Sequence, residues 1–216
     1  VKLPQLVKDK KTLWIYLFVG GASTLIPYQL LNRFHLFEPK ELLFDKVDML
    51  MPFWTWTVWV YIWEYLYFLY AWFGLKDNEN RTRYFYAYMA ILFFSFTVFL
   101  FYPVTFPRHN YPVTGNSFSD WGLTFLRTYM DAPANCLPSL HVSSCFISSL
   151  CFWNESRKRA ILLSLGSVAV AISTMTTKQH YFIDVWTAVI VVAVAYWFFF
   201  YRVRLTGTGS EAGASR

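Results

Sequence analysis

The chain has 216 residues, of which 56% are hydrophobic, 22% aromatic and only 15% charged, with a formal net charge of +6. A water-soluble domain carries about a quarter charged residues, so this composition excludes that class and points to a chain that lives in lipid. The basic excess does not read as nucleic-acid affinity, because Lys and Arg flank apolar runs and form no stripe beside a soluble module.

Spanning a hydrocarbon core takes roughly 20 helical residues. Six runs approach that length: Leu13 to Leu31, Pro52 to Gly74, Tyr84 to Phe106, Leu137 to Trp153, Ala160 to Thr177 and Phe182 to Val203. The expected fold is therefore all-α, a polytopic membrane protein with a bundle of six transmembrane helices forming one domain over residues 1–206. The first run is long and lacks a small-residue cleavage site, so it is expected to be kept as a span. The second is dense in aromatics, which suits interfacial anchoring, and carries Glu64 near its middle. An ionised carboxylate is expensive there, so Glu64 is expected to be protonated or internally paired, and too deep to reach a head group. The fourth and fifth runs are shorter and more polar. Their small and hydroxylated residues let helices approach closely, which predicts a central place in the bundle. The stretch 207–216 is small and polar and is expected to be a disordered tail. Cys136, Cys145 and Cys151 form no CxxC pair and no even-numbered framework, and read as small apolar residues in or beside a helix.

Of the nineteen Lys and Arg residues, thirteen fall in segments on the N-terminal side of the membrane and six on the other. The rule that cytoplasmic loops are basic then predicts both termini in the cytoplasm. All four histidines (His35, His109, His141 and His180) fall on the outer side, a clustering that the apolar runs do not require.

Three segments meet that side: the end of the third run through Arg108, the start of the fourth from Asn135 to His141, and the Ser173 to Asp184 connection between the last two. Arg108 offers a planar fork matched to phosphate oxygens, and Lys178 a point charge. Pro138 suits the first turn of a helix, so Ser139 and neighbouring N–H groups are expected to face an anion. His180 and Asp184 are four apart and share a helical face, so the carboxylate can fix the ring tautomer and leave the other nitrogen as a nucleophile. His141 is the natural general acid for a departing oxygen. His35 and His109 read as ordinary interfacial residues. Asp131 and Asn135 precede the serine-histidine motif and are candidates to line the mouth of the site, although no spacing demands it.

Pro138-Ser139-Leu140-His141 and His180-x-x-x-Asp184 resemble the second and third signatures of the type-2 phosphatidic acid phosphatase superfamily, PSxH and SRxxxxxHxxxD. The resemblance implies a phosphohistidine at His180, oriented by Asp184, with His141 protonating the leaving group and Ser139 and Arg108 holding phosphate. It implies no cofactor and no metal. Departures are visible: Thr174 follows Ser173 where the family has Arg, and Lys178 stands where it could restore that charge. Phe101 and Tyr102 lie where the first signature has Lys, and Arg108 is followed by His109. Leu140 in place of glycine and the His180-Tyr-Phe-Ile-Asp184 stretch look more like the inositol phosphorylceramide synthase branch. Sphingomyelin synthases carry a similar stretch.

The resulting expectation is an integral membrane lipid phosphate phosphatase whose site faces the periplasm, exterior or lumen. Its partner is a lipid phosphate or phospholipid, with no nucleic acid, and the oligomeric state is left open. The alternatives are a phospho-head-group transferase to a lipid alcohol, a metallohydrolase using His141, His180 and Asp184, and a non-enzymatic carrier. The stretch from His109 to Asn135, with Phe118, Trp121, Leu123 and Phe125, is expected to form an interfacial lid.

Overall fold

The computed structural model describes residues 1–207, so of the expected tail only Gly207 lies among the described residues. In chain order the elements are β1 (Lys2–Pro4), α1 (Lys10–Leu31), β2 (Lys40–Glu41), α2 (Lys46–Leu50), a 3₁₀ turn at Thr55–Thr57, α3 (Val58–Tyr61), α4 (Glu64–Gly74) and α5 (Asn78–Phe101). They continue with β3 (Val104–Thr105), α6 (Phe118–Phe125), a π-helical turn at Leu126–Met130, α7 (Leu140–Leu150), α8 (Arg157–Thr176), α9 (Phe182–Trp197) and β4 (Arg204–Thr206). Among the described residues, four helices are long and apolar enough to cross a membrane: α1, α5, α8, and α9 with the π-helical turn that continues it to Arg202. The other two runs differ from the simple expectation. The second is a helix interrupted between Tyr61 and Glu64, and the fourth forms an 11-residue helix, α7.

Local chemistry sets the boundaries. Asp77 accepts from the Glu79 and Asn80 amides and starts α5 at Asn78, six residues before its apolar run begins. At the other end α5 stops at Phe101, because Pro103 disfavours helical backbone in the residue before it and has no N–H to donate. Beyond it β3 pairs with β2 in parallel, Lys40 opposite Val104, and this carries the chain sideways toward Arg108. A second parallel pair, β1 with β4, ties the N-terminal residues to the segment after α9.

At the centre lies α7, packed against α4, α5, α8 and α9 and buried at nearly every residue. Its serines make this possible. Ser148 bonds the Tyr84 hydroxyl at 2.9 Å and Ser149 bonds Ser167 on α8 at 2.9 Å, so small polar groups are satisfied between closely packed helices. The central place expected of the fifth run is only half realised. One face of α8 packs on α7, while Ile161, Leu162, Leu165, Val168 and Ile172 point outward. That face, with Phe18 on α1, Phe93 on α5 and Val194 on α9, gives the bundle an apolar exterior suited to lipid. Against lipid tails burial gains little, so cohesion rests on the close packing of the Trp72, Tyr84, Phe99 and Phe152 core.

Candidate active site

The two histidines stand on opposed helix starts. On α7, Ser139 is the N-cap: its hydroxyl accepts from the Val142 amide at 3.4 Å, and its own N–H donates to the Asp184 carbonyl at 3.1 Å. Pro138 thus precedes the cap instead of occupying the first turn, and the cap locks the start of α7 onto the first turn of α9. α8 ends in a reverse turn with Lys178 in the left-handed region at φ 57°. The Gln179 amide donates to the Thr174 carbonyl at 2.9 Å and the Lys178 amide to Met175 at 3.1 Å, the two bonds that close a Schellman turn. This turn reverses the chain in the space of three residues and delivers His180 beside His141.

Each histidine has its Nδ1 held by a carboxylate. His180 Nδ1 lies 3.2 Å from Asp184 Oδ2, which also accepts from the Tyr181 amide at 2.9 Å and so is fixed by the helix start it caps. His141 Nδ1 lies 3.0 Å from Glu64 Oε1. The two rings are 5.5 Å apart between centroids. His180 Nε2 is buried and has no hydrogen-bond partner among the described residues, and the same holds for Asp184 Oδ1 and Arg108 Nε. Buried polar atoms are ordinarily paired, so an unpaired ring nitrogen here marks a place prepared for a reacting group.

Asp131 closes the site. Its Oδ1 accepts from the Tyr28 hydroxyl at 2.6 Å and lies 3.7 Å from His141 Nε2, while Oδ2 accepts from the Tyr61 hydroxyl at 3.0 Å and pairs with Arg108 Nη2 at 3.1 Å. Arg108 Nη1 donates to the Asp131 carbonyl as well. Burial alone would push this carboxyl up, but the Arg108 guanidinium and the nearby His141 ring override it and hold Asp131 well below the usual carboxylate range.

The structure therefore brings together Arg108, His141, His180 and Asp184, with Ser139 at the base as a helix cap. Lys178 is committed elsewhere: its ammonium donates to the Met51 carbonyl at 2.6 Å and the Asp48 carbonyl at 3.3 Å and lies over the Tyr111 ring. Burial lowers its pKa. Three participants escaped the sequence reading, Glu64, Tyr28 and Tyr61, while the sequence places Asp131 only at the mouth. Glu64 is internally paired, as a carboxylate in a span requires, but its partner is His141, so it is not remote from the site. The break between α3 and α4, closed by bonds such as Trp63 to Val60 at 3.2 Å, turns both Tyr61 and Glu64 inward. Tyr28, Tyr61 and Asp131 left no motif. The one available signal was that an intramembrane or near-membrane carboxylate needs a named partner. His109 is exposed and His35 half-buried, both apart from the bonds described.

Cys136, His180 and Asp184 offer three donor atoms within 4.8 Å of one another. The set suits a metal poorly. Burial pushes the Cys136 thiol up, and as a neutral group it donates to the Pro133 and Gln179 carbonyls, whereas a ligating cysteine must be a thiolate.

The site thus sets two carboxylate-held histidines and an arginine around one buried point of a helical bundle whose long apolar helices suit a membrane. The family model described as the PAP2 superfamily matches residues 31–198, and the chain belongs to that superfamily of lipid phosphate phosphatases and phosphotransferases. No curated protein and no solved structure matches the chain.

Proposed function

We propose that the protein is a lipid phosphate phosphatase that works through a phosphohistidine at His180. The observation that carries this reading is the unpartnered, buried His180 Nε2, on a ring 5.5 Å from that of His141 while Asp184 holds the opposite nitrogen. With the proton fixed on Nδ1, the Nε2 lone pair attacks phosphorus and a P–N bond forms as the P–O bond to the lipid breaks. The departing oxygen takes the proton of His141 Nε2, and Glu64 supports the ring through Nδ1–H. Arg108 neutralises charge on the equatorial oxygens. Water then attacks phosphorus, gives its proton to His141, and the P–N electron pair returns to His180. Rapid quenching during turnover of a ³²P-labelled lipid phosphate should trap an acid-labile, base-stable label on the wild type. Failure to trap it under single-turnover conditions that consume the substrate would remove the covalent step.

A second reading replaces water by a lipid alcohol. Two features favour it: Leu140 beside His141, and the apolar ladder next to the site. In that ladder Phe118, Trp121, Phe125 and Tyr129 stack in sequence along one exposed face of α6 and the turn after it, while Leu123 faces inward against Val58 and Tyr61. Supplying ceramide or diacylglycerol with labelled phospholipid separates the two readings. Free phosphate or phospho-alcohol supports the phosphatase, and quantitative transfer to the added alcohol supports the transferase.

The reading includes six crossings with both termini in the cytoplasm, supported by the basic-residue bias. All three native cysteines are buried. A membrane-impermeant thiol reagent applied from outside should therefore label Asn110→Cys and spare Lys76→Cys, and the opposite pattern would invert the topology.

A further inference from the structure

We propose that Asp131 is an internal anion that takes the phosphate position of the site and must leave it before substrate binds. The inference rests on the phosphatase reading above and names how that site is regulated. Phosphate at His180 requires Arg108 for its oxygens and His141 Nε2 for its leaving group. Both lie around one carboxylate: Arg108 Nη2 pairs with Oδ2 at 3.1 Å, while His141 Nε2 lies 3.7 Å from Oδ1 and bonds the Tyr28 hydroxyl at 3.1 Å. Two phenols complete the cradle, Tyr28 at 2.6 Å and Tyr61 at 3.0 Å, so three donors bond one anion from α1, α3 and the segment after β3, with His141 on α7 joined to it through the Tyr28 hydroxyl.

A cradle of this composition suits a tetrahedral oxyanion, and the carboxylate imitates one with two of its oxygens. Asp131 and Arg108 side chains are 2% and 10% exposed, so no solvent screens a second anion brought beside the first. A carboxylate and a phosphate therefore compete for these donors. The segment that bears Asp131 is irregular, so the Asp131 side chain can swing away without breaking a helix. It follows the π-helical turn and lacks regular structure from Asp131 to Pro138. Asn135 lies in the left-handed region at φ 63°, and the loop is held by Phe106 N–H to Pro133, Cys136 N–H to Val104 and Asn135 Nδ2 to the Tyr28 carbonyl at 3.2 Å, none of which involves the Asp131 carboxylate. When phosphate captures Arg108, both bonds from Arg108 to residue 131 break together, the one to the carboxylate and the one to the carbonyl.

Orthovanadate, a tetrahedral phosphate mimic, is the probe, titrated into the full-length protein in detergent. The neutral isostere Asp131→Asn should bind it at least about tenfold more tightly than the wild type, because the competing charge is gone while the side-chain volume stays. A residue that merely positions Arg108 would behave oppositely, its loss weakening binding. In the wild type itself, hydrogen exchange of amides in residues 131–136 should accelerate when vanadate binds, a readout that does not depend on the variant folding. Vanadate binding with equal or weaker affinity in Asp131→Asn, or slower exchange in 131–136 on binding, would overturn the internal anion and leave the phosphatase reading standing. If neither protein binds vanadate, the phosphate site itself is wrong and the internal anion falls with it.

Discussion

The two ends of the bundle hold charge in opposite ways. At the end opposite the histidines, Arg81 donates through Nε to the Trp72 carbonyl at 2.8 Å and through Nη2 to Leu75, closing the last turn of α4. Glu155 accepts from the Lys76 and Asp77 amides at 2.9 and 3.0 Å, and Arg159 donates to the Gly74 carbonyl at 3.2 Å. Here charges serve as caps that satisfy backbone groups left open at helix ends. At the histidine end the carboxylates bond side chains, the ladder is incomplete, and His180 Nε2, Asp184 Oδ1 and Arg108 Nε stay unpaired. Both ends are polar, but of the charges at the capped end only Arg81 is buried, while Glu155 and Arg159 are half-buried. Incomplete satisfaction is what separates a site from a clasp.

Substitutions at the two ends should therefore fail differently. His180→Ala should cost at least about 10⁴-fold in turnover, as removal of a nucleophile from a coupled unit does, with helix content and thermal midpoint unchanged. Retained activity would return the site to the status of a clasp. Glu64→Gln should lower kcat by about 10²-fold with KM little changed, since only the charged form of His141 needs the carboxylate. A KM effect alone would make Glu64 structural. Arg81→Met should leave kcat within about twofold while costing about 1–3 kcal/mol of stability for the carbonyls it strands, measured by thermal unfolding in detergent. A selective loss of turnover there would erase the distinction between the ends. The smallest effect is expected from EDTA, which should leave the rate unchanged because arginine and histidine supply the charge. Loss of rate restored by one divalent ion would move the chemistry to the Cys136, His180 and Asp184 donors.

Acid should also distinguish the ends. Asp131 is held below the ordinary carboxylate range of about 4, so its ion pair stabilises the fold above that pH and is lost as pH falls through its lowered folded value. Asp131→Asn should accordingly show a flatter decline of thermal midpoint with acid than the wild type, and parallel curves would mean that the pair contributes no stability.

The sequence by itself determined the solvent of this protein and the local pair. Long apolar runs specify helices in lipid whatever else surrounds them, and His180 with Asp184 is a helical i to i+4 contact that backbone geometry alone brings together. It also carried the superfamily, through Pro138-Ser139-Leu140-His141. Only the tertiary structure decided that Glu64 belongs to His141, 77 positions away, and that Tyr28, Tyr61 and Arg108 converge on Asp131. Those contacts depend on the break between α3 and α4, on the β2–β3 pairing that swings Arg108 inward, and on the irregular loop before α7. No spacing rule encodes them, because their distances are set by how helices pack and not by the pitch of any one helix.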